Sequence, residues 1–218
     1  MNPGESLKFY TPLEEKINIY SHVAGLILSV IALLMLLLRA FSYGDSIDRI
    51  SAAVFGLSLV VLYLASTLYH SAKTPARRGR LRIIDHASIY ILIAGTYTPF
   101  SLITLSGPIG WSIFYTVWAM AITGTVLKVF FTGRFNLVST LMYIFMGWII
   151  MFAIKPLVDG LSIEALFWLF SGGFWYTSGA VIYSIKRIKF NHALFHLFVL
   201  AGSISHFIAV YAYVLPGP

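Results

Sequence analysis

Two histidines lie four residues apart in the stretch NHALFH at 191–196, at the start of a long apolar run. Residues at positions i and i+4 of an α-helix share a face, so both imidazoles could bind a single metal ion. The chain contains no cysteine. A metal would therefore be held by histidine, carboxylate or carbonyl groups, and His192 and His196 are the first candidates.

Three further polar residues could complete such a site. His70 ends a second apolar run, and together with His192 and His196 it gives three imidazoles and one open position, which is the pattern of a catalytic zinc site. Asp85 could accept a hydrogen bond from water in that position and act as a general base. Ser66, four residues before His70 on the same face, could donate to a substrate carbonyl or hold the water. Three histidines favour zinc without excluding iron, nickel or copper.

Each of these residues also has a simpler interpretation. An intramembrane carboxylate costs about 2.5–3.5 kcal/mol, so Asp85 needs a partner, and Arg82 one turn away is a non-catalytic candidate. His22 could lie at the level of the lipid headgroups. His86 points about 100° away from Asp85, which favours a packing or network role. His206 lies about 15 Å deeper than His196 and is predicted to be a buried hydrogen-bonding residue that lines a cavity.

The elements that position these residues are membrane spans. The 218-residue chain is 59% hydrophobic and 11% charged, with a mean hydropathy of +0.85, whereas a soluble domain carries about a quarter charged residues. Seven apolar stretches have about the 20 residues that a bilayer requires. They lie at 17–38, 50–69, 83–105, 109–129, 137–154, 163–185 and 193–215. The sequence predicts an all-α integral membrane protein, a seven-transmembrane helix bundle in which residues 1–218 form one domain.

The basic residues predict how the bundle is oriented. Twelve of the fifteen Lys and Arg fall on the side of the N-terminus, and three fall on the opposite side. By the positive-inside rule the N-terminus is cytoplasmic and the C-terminus extracytoplasmic. The net charge of +7 is explained by this bias, and no nucleic-acid partner is expected. The three on the opposite side are Arg39, Arg49 and Lys155. The twelve on the side of the N-terminus are Lys8, Lys16, Lys73, Arg77, Arg78, Arg80, Arg82, Lys128, Arg134, Lys186, Arg187 and Lys189.

Depth along the helices then brings the polar residues into one layer. With a rise of about 1.5 Å per residue, five of them lie within roughly 5–10 Å of the basic boundary. Spans one, two, three and seven each contribute to this layer. Its members are His22, His70, Asp85, His192 and His196.

Three signatures in the chain resemble those of the hemolysin III group within the progestin and adiponectin receptor (PAQR) superfamily. EKINIYSH at 15–22 fits E-x-x-N-x-x-[ST]-H, and STLYH at 66–70 followed by Asp85 fits S-x-x-x-H…D. HALFH at 192–196 fits the closing H-x-x-x-H. The resemblance covers essentially the whole chain.

The resemblance implies a zinc ion (Zn2+) on His70, His192 and His196 near the cytoplasmic face. It also implies that Asp85 reaches the metal through water, with Ser66 beside the ligands. The long cytoplasmic N-terminal region of the animal receptors has no counterpart here, so an extracellular hormone ligand is not implied.

Two classes of function remain open at this point. The first is a zinc-dependent hydrolase of a lipid amide or ester bond, a chemistry suggested for relatives that include distant alkaline ceramidases. The second is a non-catalytic sensor or regulator of membrane lipid state, or a hemolysin-like cytolytic protein, with structural zinc. Both fit membrane-lipid homeostasis in a bacterial inner membrane, with membrane lipid as the substrate or ligand.

Overall fold

The structure is a computed structural model that describes residues 10–131 and 136–217. Every regular element in these residues is a helix. We number the α-helices α1 to α8 in chain order. They are α1 (Pro12–Tyr43), α2 (Ser46–Ser71), α3 (Pro75–Pro99), α4 (Gly107–Phe131), α5 (Asn136–Gly147), α6 (Ile154–Gly160), α7 (Ile163–Ser184) and α8 (Asn191–Ala209).

Three irregular helical segments complete the spans. A π-helical segment continues α3, a 3-10 segment joins α5 to α6, and a second π-helical segment continues α8. Their bounds are Phe100–Leu105, Ile149–Ala153 and Val210–Val214. The α-helical part of α3 ends at Pro99, which has no backbone N–H to donate.

Seven helical stretches within the described residues are long and apolar enough to cross a membrane, which confirms the predicted bundle. The fifth combines α5, the 3-10 segment and α6. Large apolar side chains such as Leu38 and Phe152 cover the outer surface, as expected where a helix faces lipid.

Two helices begin earlier than the apolar pattern predicts. α1 starts at Pro12 instead of residue 17, and α3 starts at Pro75 instead of residue 83. Proline is favoured in the first turn of a helix, where its missing N–H has no helical partner. The basic stretch from Lys73 to Arg82 lies between the predicted spans 50–69 and 83–105, but most of it forms the first two turns of α3.

The helices that carry the histidines pack closely through small residues. Gly25 of α1 lies against the ring of Tyr63 in α2, and Gly172 of α7 lies against the ring of His206 in α8. A Cβ atom at either glycine would overlap the ring that faces it. These contacts keep α1 close to α2 and α7 close to α8 at the centre of the bundle.

The orientation of the bundle stays a prediction, because helices alone do not distinguish the two sides of a membrane. Two of the charges that enter the count, Lys8 and Arg134, lie outside the described residues. His70, His192 and His196 lie at the same end of the bundle as the connection between α7 and α8, which carries Lys186, Arg187 and Lys189.

Candidate metal centre

The structure brings together the three histidines that the sequence selected as metal ligands. His70 lies in the last turn of α2, and His192 and His196 lie in the first two turns of α8. All three side chains are buried. Each histidine offers one ring nitrogen such that the three atoms all lie within 4.8 Å of one another. Nε2 of His70 is 3.0 Å from Nε2 of His192.

These distances fit a single metal ion. Zinc–nitrogen bonds of about 2.0–2.1 Å at tetrahedral angles place two ligand atoms about 3.3 Å apart. The separation between Nε2 of His70 and Nε2 of His192 is 3.0 Å, close to this value, and all three ligand atoms lie within 4.8 Å of one another. The group could therefore hold a metal ion.

The start of α8 is fixed to the end of α7. Phe190, the residue before α8, has a left-handed backbone with φ of 57°, which turns the chain into the helix. The side-chain amide of Asn191 donates to the carbonyl oxygen of Tyr183 at 2.9 Å. This contact sets the position of the first turn, and therefore of His192.

Two residues of α1 contact the far side of the His70 ring. Oε2 of Glu15 is 2.8 Å from Nδ1 of His70, and Nδ2 of the buried Asn18 is 3.5 Å from the same nitrogen. Nε2 of His70 therefore points toward His192. In the sequence, Glu15 and Asn18 stand out only as members of a family signature, and no role was predicted for them. Their spacing of three residues, which puts both on one helical face, was the available signal.

Arg78 was counted only as an orienting charge, but its side chain is 1% exposed. Its guanidinium forms an ion pair with Glu15 and lies 4.7 Å from the centre of the Tyr69 ring. The pattern of charges does not predict this contact. The contact forms because α3 begins at Pro75, which places Arg78 inside the bundle.

Tyr10, just before α1, covers the same site. Its ring stacks on His192 with centroids 4.8 Å apart, and its backbone N–H donates to Oε1 of Glu15 at 3.3 Å. Burial raises the pKa of the Tyr10 phenol, so the ring is neutral. The sequence carried no signal for this contact.

His22 is buried and faces the bundle interior, where it lines the cavity with His192 and His196. Its ring centroid is 3.7 Å from that of His196. Both of its ring nitrogens are buried without a hydrogen-bond partner among the described groups. The three-histidine group does not include it.

Asp85 and Ser66 border a cavity of about 170 Å³ beside the histidines. The cavity is also lined by His22, His192 and His196, and its walls are mainly apolar. The Asp85 side chain is 13% exposed. The structure thus places both predicted accessory residues in the space next to the candidate ligands.

The other two histidines have the network roles that the sequence predicted. Nδ1 of His86 lies 2.9 Å from the carbonyl oxygen of Arg82 and 3.4 Å from Oδ2 of Asp85. Nε2 of His206 donates to the carbonyl oxygen of Leu169 at 3.1 Å, and its ring lines the cavity. Lys128, a buried cation that also lines the cavity, was missed as a site residue and treated only as an orienting charge.

Comparison with known proteins decides the family. The family model described as haemolysin-III related matches residues 10–207, which include every residue of the candidate centre. The chain belongs to the haemolysin-III-related family. The resemblance drawn from the three signatures is thereby confirmed.

Similar proteins of this family span nearly the same length. Hemolysin-3 of Bacillus cereus is 46% identical over 203 residues, covering 93% of each chain. The Hemolysin-3 homolog of Bacillus subtilis (strain 168) is 44% identical over 209 residues, covering 96% of this chain and 98% of the homolog. Monocyte to macrophage differentiation factor of Homo sapiens is 29% identical over 218 residues, covering 95% of this chain and 87% of the human protein. This haemolysin-III-related chain is therefore an integral, multi-pass membrane protein with a buried group of three histidines.

Proposed function

We propose that the protein is a zinc-dependent hydrolase that cleaves an amide or ester bond of a membrane lipid. One observation carries this proposal: two of the three buried imidazoles with metal-ligand spacing, His192 and His196, border the same mainly apolar cavity as a carboxylate and a hydroxyl. Such a cavity suits a lipid, and the polar groups in its lining suit hydrolysis of a polar bond.

Zinc held by His70, His192 and His196 would supply Lewis acidity at its remaining coordination position. A structural zinc site takes four protein ligands, whereas the group found here has three. His22 lies next to His196 but outside that group. This arrangement supports catalytic zinc over structural zinc.

Asp85 and Ser66 would carry the proton transfer and the orientation of the substrate. Asp85 accepts a proton from the attacking water, whose oxygen forms a bond to the carbonyl carbon of the lipid. The carbon–nitrogen or carbon–oxygen bond then breaks, and the proton held by Asp85 passes to the leaving amine or alkoxide. Ser66 donates a hydrogen bond to the carbonyl oxygen, and apolar walls such as Leu62 and Val199 hold the hydrocarbon.

The names of the bacterial relatives favour a second candidate, cytolytic activity, which would leave zinc with a structural role. The hydrophobicity of the chain argues against it, because a chain that is 59% hydrophobic inserts in its own membrane and does not leave it. A non-catalytic sensor of lipid state would use the same cavity without cleaving its ligand. For all three functions we place the protein in a bacterial cell membrane with membrane lipid as its partner.

The test is lipid turnover in proteoliposomes that contain the purified protein and lipids extracted from a bacterial membrane. Mass spectrometry should show products of amide or ester cleavage that depend on zinc and disappear in Asp85→Asn. Zinc-loaded protein that leaves every lipid intact refutes the hydrolase. Lysis of red cells by the same preparation would then support the cytolytic candidate.

A further inference from the structure

We propose that Glu15 is a positioning residue for the metal centre, which fixes the tautomer of His70 so that Nε2 is free to bind the ion. The inference rests on the metal binding in the proposed function but not on hydrolysis. It assigns to the first turns of α1 a part in a site whose ligands come from α2 and α8.

The first step is the contact between Glu15 and His70. Oε2 of Glu15 lies 2.8 Å from Nδ1 of His70, and a carboxylate oxygen can only accept. Nδ1 therefore carries the proton, and the Asn18 amide near it, turned end for end, faces it with its oxygen, which has no other hydrogen-bond partner among the described groups. In the neutral ring Nε2 then has its lone pair available. This lone pair points toward His192, since the two Nε2 atoms are 3.0 Å apart. Metal-binding histidines commonly donate their other nitrogen to a carboxylate in this way.

The second step is the ion pair that holds Glu15 in place. Arg78 of α3 pairs with Oε1 of Glu15, the oxygen that does not contact His70. The guanidinium is buried, and one of its nitrogens also contacts the carbonyl oxygen of Ala72 at 3.5 Å. A guanidinium has only donors, so it requires an acceptor at this position. The backbone N–H of Tyr10 also donates a hydrogen bond to Oε1 of Glu15.

The isosteric change Glu15→Gln should reverse the tautomer of His70. Glutamine has one acceptor oxygen where glutamate has two. Arg78 and the backbone N–H of Tyr10 both donate to the position of Oε1, so the single oxygen of glutamine occupies that position. The new NH2 group then faces Nδ1 of His70 and donates to it. His70 must then accept at Nδ1 and carry its proton on Nε2. The substitution thus changes the tautomer of His70 without changing the size of the side chain.

The first experiment measures that tautomer. The metal-free, full-length protein in detergent is labelled with 15N-histidine, and the His70 signal is assigned from the spectrum of His70→Gln. We expect Nδ1 to be protonated in the unmodified protein and Nε2 to be protonated in Glu15→Gln. The same His70 tautomer in both proteins overturns the proposal.

The second experiment measures zinc affinity by competition with a chelator of known affinity. Loss of a partner that orients a ligand typically lowers metal affinity 10–100-fold, which is the loss expected for Glu15→Gln. Glu14→Gln is the matched control, because it removes the same charge from a side chain about 100° around α1. We expect unchanged affinity in this control. Equal affinity in the unmodified protein and Glu15→Gln, or an equal loss in both variants, overturns the proposal.

A second variant covers the case in which Glu15→Gln does not fold. Glu15→Asp keeps the charge and an acceptor for Arg78 but withdraws the carboxylate from His70 by one methylene. Weakened zinc binding in a folded Glu15→Asp protein supports the proposal, and unchanged binding contradicts it. An unmodified protein that binds no zinc refutes the proposed function, whereas the tautomer measurement on metal-free protein still tests Glu15.

Discussion

The candidate functions predict different effects of replacing Asp85. Its carboxylate borders the cavity beside the histidines, and Oδ2 lies 3.4 Å from Nδ1 of His86. A general base needs this position, next to the ligands but outside the ligand set. A residue that only balances charge would not need to face the cavity.

We expect Asp85→Asn to keep its zinc and lose lipid turnover. The amide is similar in size to the carboxylate but cannot accept the proton of the attacking water, and loss of a general base costs about 10²–10⁴-fold in rate. Elemental analysis and product formation, measured on the same preparation, check this. A variant with full zinc and full turnover would show that Asp85 is not the base.

Pairs of helices meet at glycines that determine where the cavity residues lie. Gly172 of α7 faces the ring of His206, which donates to the carbonyl oxygen of Leu169 one turn earlier on α7. Gly173, the next residue, faces Trp148 at ordinary contact distances of 3.6 and 3.7 Å. Adjacent positions on one helix therefore have very different tolerance for a methyl group.

We expect Gly172→Ala to lower the melting temperature and Gly173→Ala to leave it unchanged or raise it. Overpacking costs about 1–3 kcal/mol, whereas alanine gains about 1 kcal/mol over glycine in a helix. Thermal unfolding of both variants in the same detergent provides the measurement. Equal melting temperatures would contradict the close approach of α7 and α8.

The apolar pattern predicts which segments cross the membrane but not where their helices begin. Hydrophobicity ends where charged residues start, whereas a helix continues as long as its backbone hydrogen bonds are satisfied. α1 and α3 therefore extend past the predicted spans into charged sequence, and this extension brings Glu15 and Arg78 into the site. The spacing of the histidines was sufficient to predict the metal group. The contacts of Glu15, Arg78 and Tyr10 required the packing of α1 against α2 and α3.

At the scale of the whole molecule, the bias of the basic residues predicts that the metal centre lies near the cytoplasmic face. Asp159, near the end of α6, precedes α7, and Arg187 follows α7; both are exposed. The 22 residues of this helix span about 33 Å. Because the chain contains no cysteine, one cysteine introduced at either position reports its side of the membrane.

We expect Asp159→Cys to react with a membrane-impermeant thiol reagent in right-side-out vesicles. Arg187→Cys should react only after the vesicles are permeabilised, since the predicted orientation places it inside. A reporter fused after Pro218 should likewise read as extracytoplasmic. The reverse labelling pattern would place the metal centre near the outer face.

The metal content of the purified protein tests the central claim most directly. Protein prepared without chelators should contain about one zinc ion per chain by elemental analysis, because three buried imidazoles with ligand spacing can hold one ion. His192→Ala and His196→Ala should lose most of the zinc and melt at lower temperature, since the ion joins α2 to α8. Unmodified protein without bound metal, or alanine variants that keep all of it, would contradict the account.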